Sequence, residues 1–161
     1  MRIFKPQIFS VQTDLELPFK FGTIETGLKF NQFRNSADLK YLNFENNQYI
    51  IDEEKGSIFD YQEENYAVYG SFVKTIGEHW ETKAGLRYEN TFVKSSATNF
   101  NYGQWFPSAF VSYKQEKNVF SLSYSRRINR PSMSNLNPFR WYENPYSYST
   151  GNPLLKPSYI N

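Results

Sequence analysis

The sequence predicts an all-β chain, an antiparallel up-and-down meander of about six strands that forms part of the wall of a transmembrane β-barrel. Three observations predict it. Six stretches alternate between apolar and polar residues with a period of two. The linkers between them run short, long, short, long, short, and then into a long tail, the sorting that an outer-membrane barrel imposes between its two rims. Aromatic residues make up 19% of the 161 residues although only 39% of the chain is apolar. A wall with one side in lipid and the other in water has that composition, and so does a carbohydrate-binding sandwich with exposed rings.

The first strand covers about Gln7 to Glu16, with Phe9, Val11, Thr13 and Leu15 on one face and Ser10, Gln12, Asp14 and Glu16 on the other. Pro18 and Gly22 break the chain at a short turn. The second strand, about Thr23 to Arg34, sets Ile24, Thr26, Leu28 and Phe30 against Glu25, Gly27, Lys29 and Asn31. Asn35 to Tyr61 is polar and reads as a mobile loop with a short strand at Tyr49-Ile50-Ile51. The third strand, about Glu64 to Thr75, is apolar on both faces, which leaves its orientation open.

Ile76-Gly77-Glu78-His79 is a tight turn into the fourth strand, Trp80 to Val93. There Trp80, Thr82, Ala84, Leu86 and Tyr88 oppose Glu81, Lys83, Gly85, Arg87 and Glu89. A second polar loop, Lys94 to Gln104, leads to the fifth strand, about Trp105 to Lys114. Gln115-Glu116-Lys117-Asn118 is a polar hairpin turn, and the sixth strand runs from Val119 to Arg126. These lengths approach the 9–11 residues of a tilted membrane strand. Aromatics gather near strand ends (Phe19, Phe21, Trp80, Tyr88, Phe92, Trp105, Phe106 and Tyr113), as two interfacial girdles require.

Six strands are too few to close a membrane barrel, whose smallest form has about eight, so residues 1–161 are read as a partial barrel domain without its remaining strands. The formal net charge of +2 carries no polyanion signal, and the three tail arginines lack a wider basic surface, which speaks against nucleic acid. The chain contains no cysteine, so it has no disulfide framework and no thiolate metal site. Its one histidine, His79, falls in a turn and is expected at the surface; no metal or cofactor is implied. No run of about 20 apolar residues could form a membrane helix. The opening residues lack an apolar h-region, so an export signal is expected outside this sequence.

Catalysis is not expected. Glu53/Glu54 and Glu63/Glu64 are adjacent, so the members of each pair point to opposite faces of an extended chain, whereas paired-carboxylate chemistry needs both on one substrate. A single histidine and the lack of a phosphate-binding glycine loop leave little other machinery.

After the sixth strand come Arg126-Arg127-Ile128-Asn129-Arg130-Pro131, Leu136-Asn137-Pro138-Phe139, Asn144-Pro145-Tyr146 and Gly151-Asn152-Pro153-Leu154-Leu155-Lys156-Pro157. Dense Pro and Gly mark a folded loop, and each Asn-Pro pair is a turn initiator. This string, with AGLRYENT at 84–91 and FPSAFVSYK at 106–114, resembles the outer-membrane β-barrel family of TonB-dependent receptors of Bacteroidetes-type bacteria. Met133 departs from the pattern, where an aromatic is expected.

The resemblance implies a barrel of roughly 22 strands around an N-terminal plug, in the bacterial outer membrane. It implies import of a nutrient powered by the TonB system through that plug, with outer-membrane lipid and a surface lipoprotein as partners. In that reading Asn35–Tyr61, Lys94–Gln104 and the tail from Ile128 face outside, and the turns near Phe19, Gly77 and Glu116 face the periplasm. Glu81, Lys83, Arg87 and Glu89 line the lumen, where cross-strand ion pairing competes with ligand contact as their role. Arg126, Arg127, Arg130, Trp141, Tyr142 and Tyr146 are the ligand-binding candidates. The alternative is a soluble or surface-attached β-sandwich binding a carbohydrate or a protein. The two differ in whether the apolar face is buried in the domain's own core or shown to lipid.

Overall fold

The computed structural model describes residues 2–144 and 146–161, and the side chains of all of these except 2–4, 53 and 54. Pro145 of the second Asn-Pro turn and the side chains of the Glu53/Glu54 pair lie outside the described residues. The strands, in chain order, are β1 (Arg2–Phe4), β2 (Gln7–Phe19), β3 (Gly22–Glu45), β4 (Gln48–Ile76), β5 (Trp80–Ser95), β6 (Asn99–Gln115), β7 (Asn118–Ser125) and β8 (Arg127–Asn129). A one-turn helix α1 (Met133–Leu136) and the strands β9 (Trp141–Asn144), β10 (Ser147–Ser149) and β11 (Ser158–Ile160) complete the tail.

β1 and β2 both pair with β3, at Ala37–Leu39 and at Gly22–Arg34 respectively. They act as one edge strand interrupted near Pro6, which has no N–H to give to the ladder. From there β3, β4, β5, β6 and β7 follow in sequence order, each antiparallel to the last. The sheet is therefore an open antiparallel meander six strands wide. Pro18 sits within β2, on the edge, where a missing donor is tolerated.

The register resolves the two faces across the whole sheet. Leu28 pairs with Val68, Val68 with Tyr88, and Tyr88 with Trp105. Because directly paired residues share a face, Val11, Phe30, Tyr66, Phe72, Leu86, Val111 and Leu122 form one continuous apolar face. Its large side chains are exposed, with Leu28 at 57% and Leu122 at 73%. Asp14, Glu25, Ser71, Lys83, Arg87, Glu89 and Ser123 form the polar face. The orientation of β4 is thereby decided: Tyr66, Val68, Gly70 and Phe72 join the apolar side. No second sheet covers that side among the described residues.

Two aromatic clusters mark the rims of the apolar face. Phe19 stacks on Phe21 at 5.2 Å and Trp80 meets Tyr113 at 4.7 Å near one set of turns. Phe30 packs on Tyr66 at 4.8 Å and Tyr88 on Trp105 at 4.8 Å toward the other end. Along β5, Trp80 and Phe92 lie roughly 40 Å apart, or about 30 Å across a membrane once the strand tilts by ~40°.

The expected long loops are not coil. β3 continues to Glu45 and β4 starts at Gln48, so most of Asn35–Tyr61 is a hairpin closed by Asn46 and Asn47. Their φ values of 49° and 66° fit the two-residue turn that matches strand twist. Leu42 faces Ile51 and Phe44 faces Tyr49 across it, with a register shift between Leu39 and Tyr41. The stretch looked like a loop because its polar residues sit in water rather than in a core. At about 3.3 Å per residue, the part of β4 before Tyr61 overhangs β5 by roughly 40 Å. Lys94–Gln104 is likewise β5 and β6 joined across Ser96-Ala97-Thr98, with the Ser96 N–H donating to the Asp60 carbonyl at 3.0 Å.

Candidate functional site

The tail, expected as a folded loop, folds back over the polar face. β8 prolongs the line of β7, and β11 pairs with β8, with Ile160 opposite Arg127. Everything between is one long connection. Ser132 caps α1, its hydroxyl accepting from the Asn135 N–H at 3.4 Å. That turn drives Leu136 into an apolar cluster with Ala37, Phe59, Tyr61 and Val93, all on the continuation of the polar face. Phe33, Phe100 and Met133 pack against it. Leu136 is 2% and Phe59 1% exposed, so the main core of this chain lies where the tail meets the wall. Met133, where an aromatic was expected, also accepts a bond from the Asn35 amide at 3.1 Å.

Arg130 anchors the start of the connection. Its Nη2 bonds a Glu89 oxygen and lies 3.3 Å from the Thr91 hydroxyl, while its Nε stands 3.8 Å from Glu63. Arg87 Nε bonds the other Glu89 oxygen, so one carboxylate joins two arginines. Asn65 donates to both Glu89, at 3.3 Å, and Thr91, at 2.8 Å. Further along the face Lys83 and Ser71 both bond Glu25, Tyr69 bonds Asp14, and Arg87 lies over the Tyr69 ring at 5.3 Å. Glu63 and Glu64 do point apart: Glu64 bonds Gln32 and Tyr66 on the opposite side.

Of the candidates, Lys83, Arg87 and Glu89 therefore meet other wall residues, and Glu81 shares their face beside Ser112. Arg126 lies over the Tyr159 ring at 4.8 Å, and Arg127 is exposed on β8. Tyr142 meets Tyr41 edge-on at 5.5 Å and gives its backbone N–H to the Tyr41 hydroxyl at 2.8 Å, which docks β9 on the hairpin overhang. Tyr146 is 98% exposed. The structure thus brings Trp141 and Tyr142 together with the overhang and leaves Arg126, Arg127 and Tyr146 away from them.

Between the tail and the overhang lies a cavity of about 620 Å³, walled by Leu39, Asn135, Asn137, Phe139, Trp141 and Asn152, among others. Its tail side is tightly built. The Gly151 N–H donates to the Asn137 carbonyl at 2.8 Å and the Asn152 N–H to the Asn135 carbonyl at 2.7 Å. A Cβ on Gly151 would lie 2.5 Å from the Asn135 carbonyl oxygen. A smaller cavity of about 330 Å³ on the far side of Leu155 is walled by Phe100, Tyr102 and Pro153. Neither Asn137, Asn152 nor Gly151 stood out in the sequence as a site residue, although the Asn-Pro and Gly-Asn-Pro strings marked them as turn formers.

Toward the tip of the overhang, the bond from Lys55 holds the Asp52 carboxyl below its usual range. That contact is structural, since both residues belong to β4.

No curated protein matches the sequence. An apolar face ringed by aromatics, a polar opposite face, and short turns at one rim are what an outer-membrane wall requires. The sequence matches the model of the Outer membrane protein beta-barrel family over residues 4–161, and the chain belongs to that family of bacterial outer-membrane proteins.

Proposed function

We infer that the chain is part of a TonB-dependent outer-membrane receptor that captures a nutrient at the cell surface and imports it. The polar face is read as the lumen wall, and the apolar face meets outer-membrane lipid. Further strands, to a total of roughly 22, close the barrel around a plug that engages the TonB system. A surface lipoprotein is a candidate partner at the overhang, and no catalytic role is assigned. The observation that carries this reading is the tail held over the polar face by Arg130 and Leu136. A structural wall alone needs no such connection, whereas a receptor needs ordered loops that narrow its mouth and build a site there.

The test is a clean deletion of the gene in the source bacterium, with uptake followed for single nutrients in the presence and absence of a protonophore. Loss of energy-dependent uptake of one nutrient in the deletion strain is the expected result. Unchanged uptake of every nutrient, with the protein present in the wild-type outer membrane, would sink the receptor reading and leave a structural or adhesive barrel.

A further inference from the structure

The cavity between the tail and the overhang has a definite chemical character. Among the described residues no Lys or Arg lines it, and the one ionisable wall residue among them, Asp38, is already paired with Lys40 at 3.4 Å. An anionic ligand would find no cation there, and a cationic one would find a carboxylate already engaged. Two aromatic rings, Phe139 and Trp141, share the wall with Asn, Ser and Thr side chains. The volume of about 620 Å³ falls within the ~300–1,000 Å³ of small-molecule sites.

Two of the amides are held in place by their own loop. Asn137 Oδ1 accepts the Phe139 N–H at 2.9 Å, and Asn152 Oδ1 accepts the Leu154 N–H at 2.9 Å. Each Asn has one acceptor and two donor hydrogens, so fixing the oxygen also fixes the plane of the NH₂ group. The backbone bonds from Gly151 and Asn152 to Asn137 and Asn135 hold the two turns against each other. Oriented neutral donors beside aromatic rings, with the one described carboxylate already paired, suit a ligand that has many neutral oxygens and apolar C–H faces.

We propose that this cavity binds a neutral saccharide, with Phe139 and Trp141 as stacking surfaces and the amides of Asn137 and Asn152 as donors to its hydroxyl oxygens. The proposal rests on the receptor reading above and names the class of its cargo.

The test uses the protein extracted from outer membranes in detergent. Heats of binding are measured by isothermal titration calorimetry with neutral gluco-, galacto-, manno- and xylo-oligosaccharides of two to four units, with oligogalacturonate as the anionic probe and trialanine as the peptide probe. A saturable response to one neutral saccharide is expected. It should weaken about tenfold in Asn137→Asp and in Asn152→Asp, each of which keeps the turn-forming acceptor and removes the donor. Retained heat-modifiable migration on gels shows that these variants remain folded. Three outcomes would overturn the proposal: no response to any neutral saccharide, tighter binding of the anion or the peptide, or affinity unchanged in both variants. The two readings fail separately. Saccharide binding without uptake by cells removes the import reading and keeps the site, while uptake of a different nutrient without saccharide binding does the reverse.

Discussion

Arg130 in the tail and Glu89 in β5 form an ion pair that ties the long connection to the wall, and Arg87 bonds the same carboxylate from its own strand. Both partners are largely shielded, with side-chain exposures of 26% and 12%. Glu89 thus belongs at once to the wall and to the loop that covers it.

Arg130→Ala should loosen the tail without unfolding the sheet. Losing a charge-assisted bond at a partly shielded site costs about 1–3 kcal/mol, enough to speed chymotryptic cleavage after Phe139 and Tyr142 by roughly tenfold or more. Arg130→Lys should recover part of the protection. Cleavage of Arg130→Ala at the wild-type rate would show that Leu136 alone docks the tail.

Gly151→Val tests the close approach of the two turns. Its Cβ would meet the Asn135 and Asn137 carbonyl oxygens at 2.5 and 2.6 Å. Those are backbone atoms, so the turns must separate, at about 1–3 kcal/mol. Hydrogen exchange should accelerate at the Gly151 and Asn152 amides while the β4–β5 ladder stays protected. Equal protection at those two amides would contradict the packing described.

The assignment of faces predicts opposite outcomes for one substitution at neighbouring depths. Leu86 pairs with Pro107 on the apolar face, and Gly85 pairs with Ser108 on the polar face. Leu86→Arg places a charge toward lipid and should cost about 2–4 kcal/mol, seen as reduced heat-modifiable protein in the outer membrane. Ser108→Arg should assemble normally. If both assemble equally well, the apolar face does not meet lipid.

The hairpin tip should answer to backbone conformation alone. Asn46 and Asn47 both hold positive φ. Replacing Asn47 with Val should destabilise the tip by about 1–3 kcal/mol, and Asn47→Gly should leave it intact. Amide exchange at Phe44 and Gln48 reads the difference. The polar face should be unaffected by either change, since at the tip the residues from Leu42 to Ile51 pair only with each other.

Period-two alternation was enough to sort most wall residues, because a strand in a sheet with one apolar side must place alternate side chains on opposite faces. Glu81, Lys83, Arg87 and Glu89 were legible as one face for that reason, as were the three short turns at one rim. β4 was ambiguous because Ala67, Tyr69 and Val73 are apolar on the polar side; only its register against β3 and β5 decided it. The overhang was hidden because strand pairing at Asn43 or Asp52 is satisfied by the neighbouring backbone and leaves no apolar period to read.

The role of the tail belongs to the tertiary structure. Arg130 is legible in the sequence as a candidate and Leu136 as part of a turn string, but their partners Glu89, Phe59 and Val93 lie far away along the chain on β4 and β5. Local rules say that Asn-Pro and Gly-Asn-Pro strings turn. Whether the turned segment stands in solvent or folds onto the wall depends on non-local burial and charge pairing, which no local pattern records.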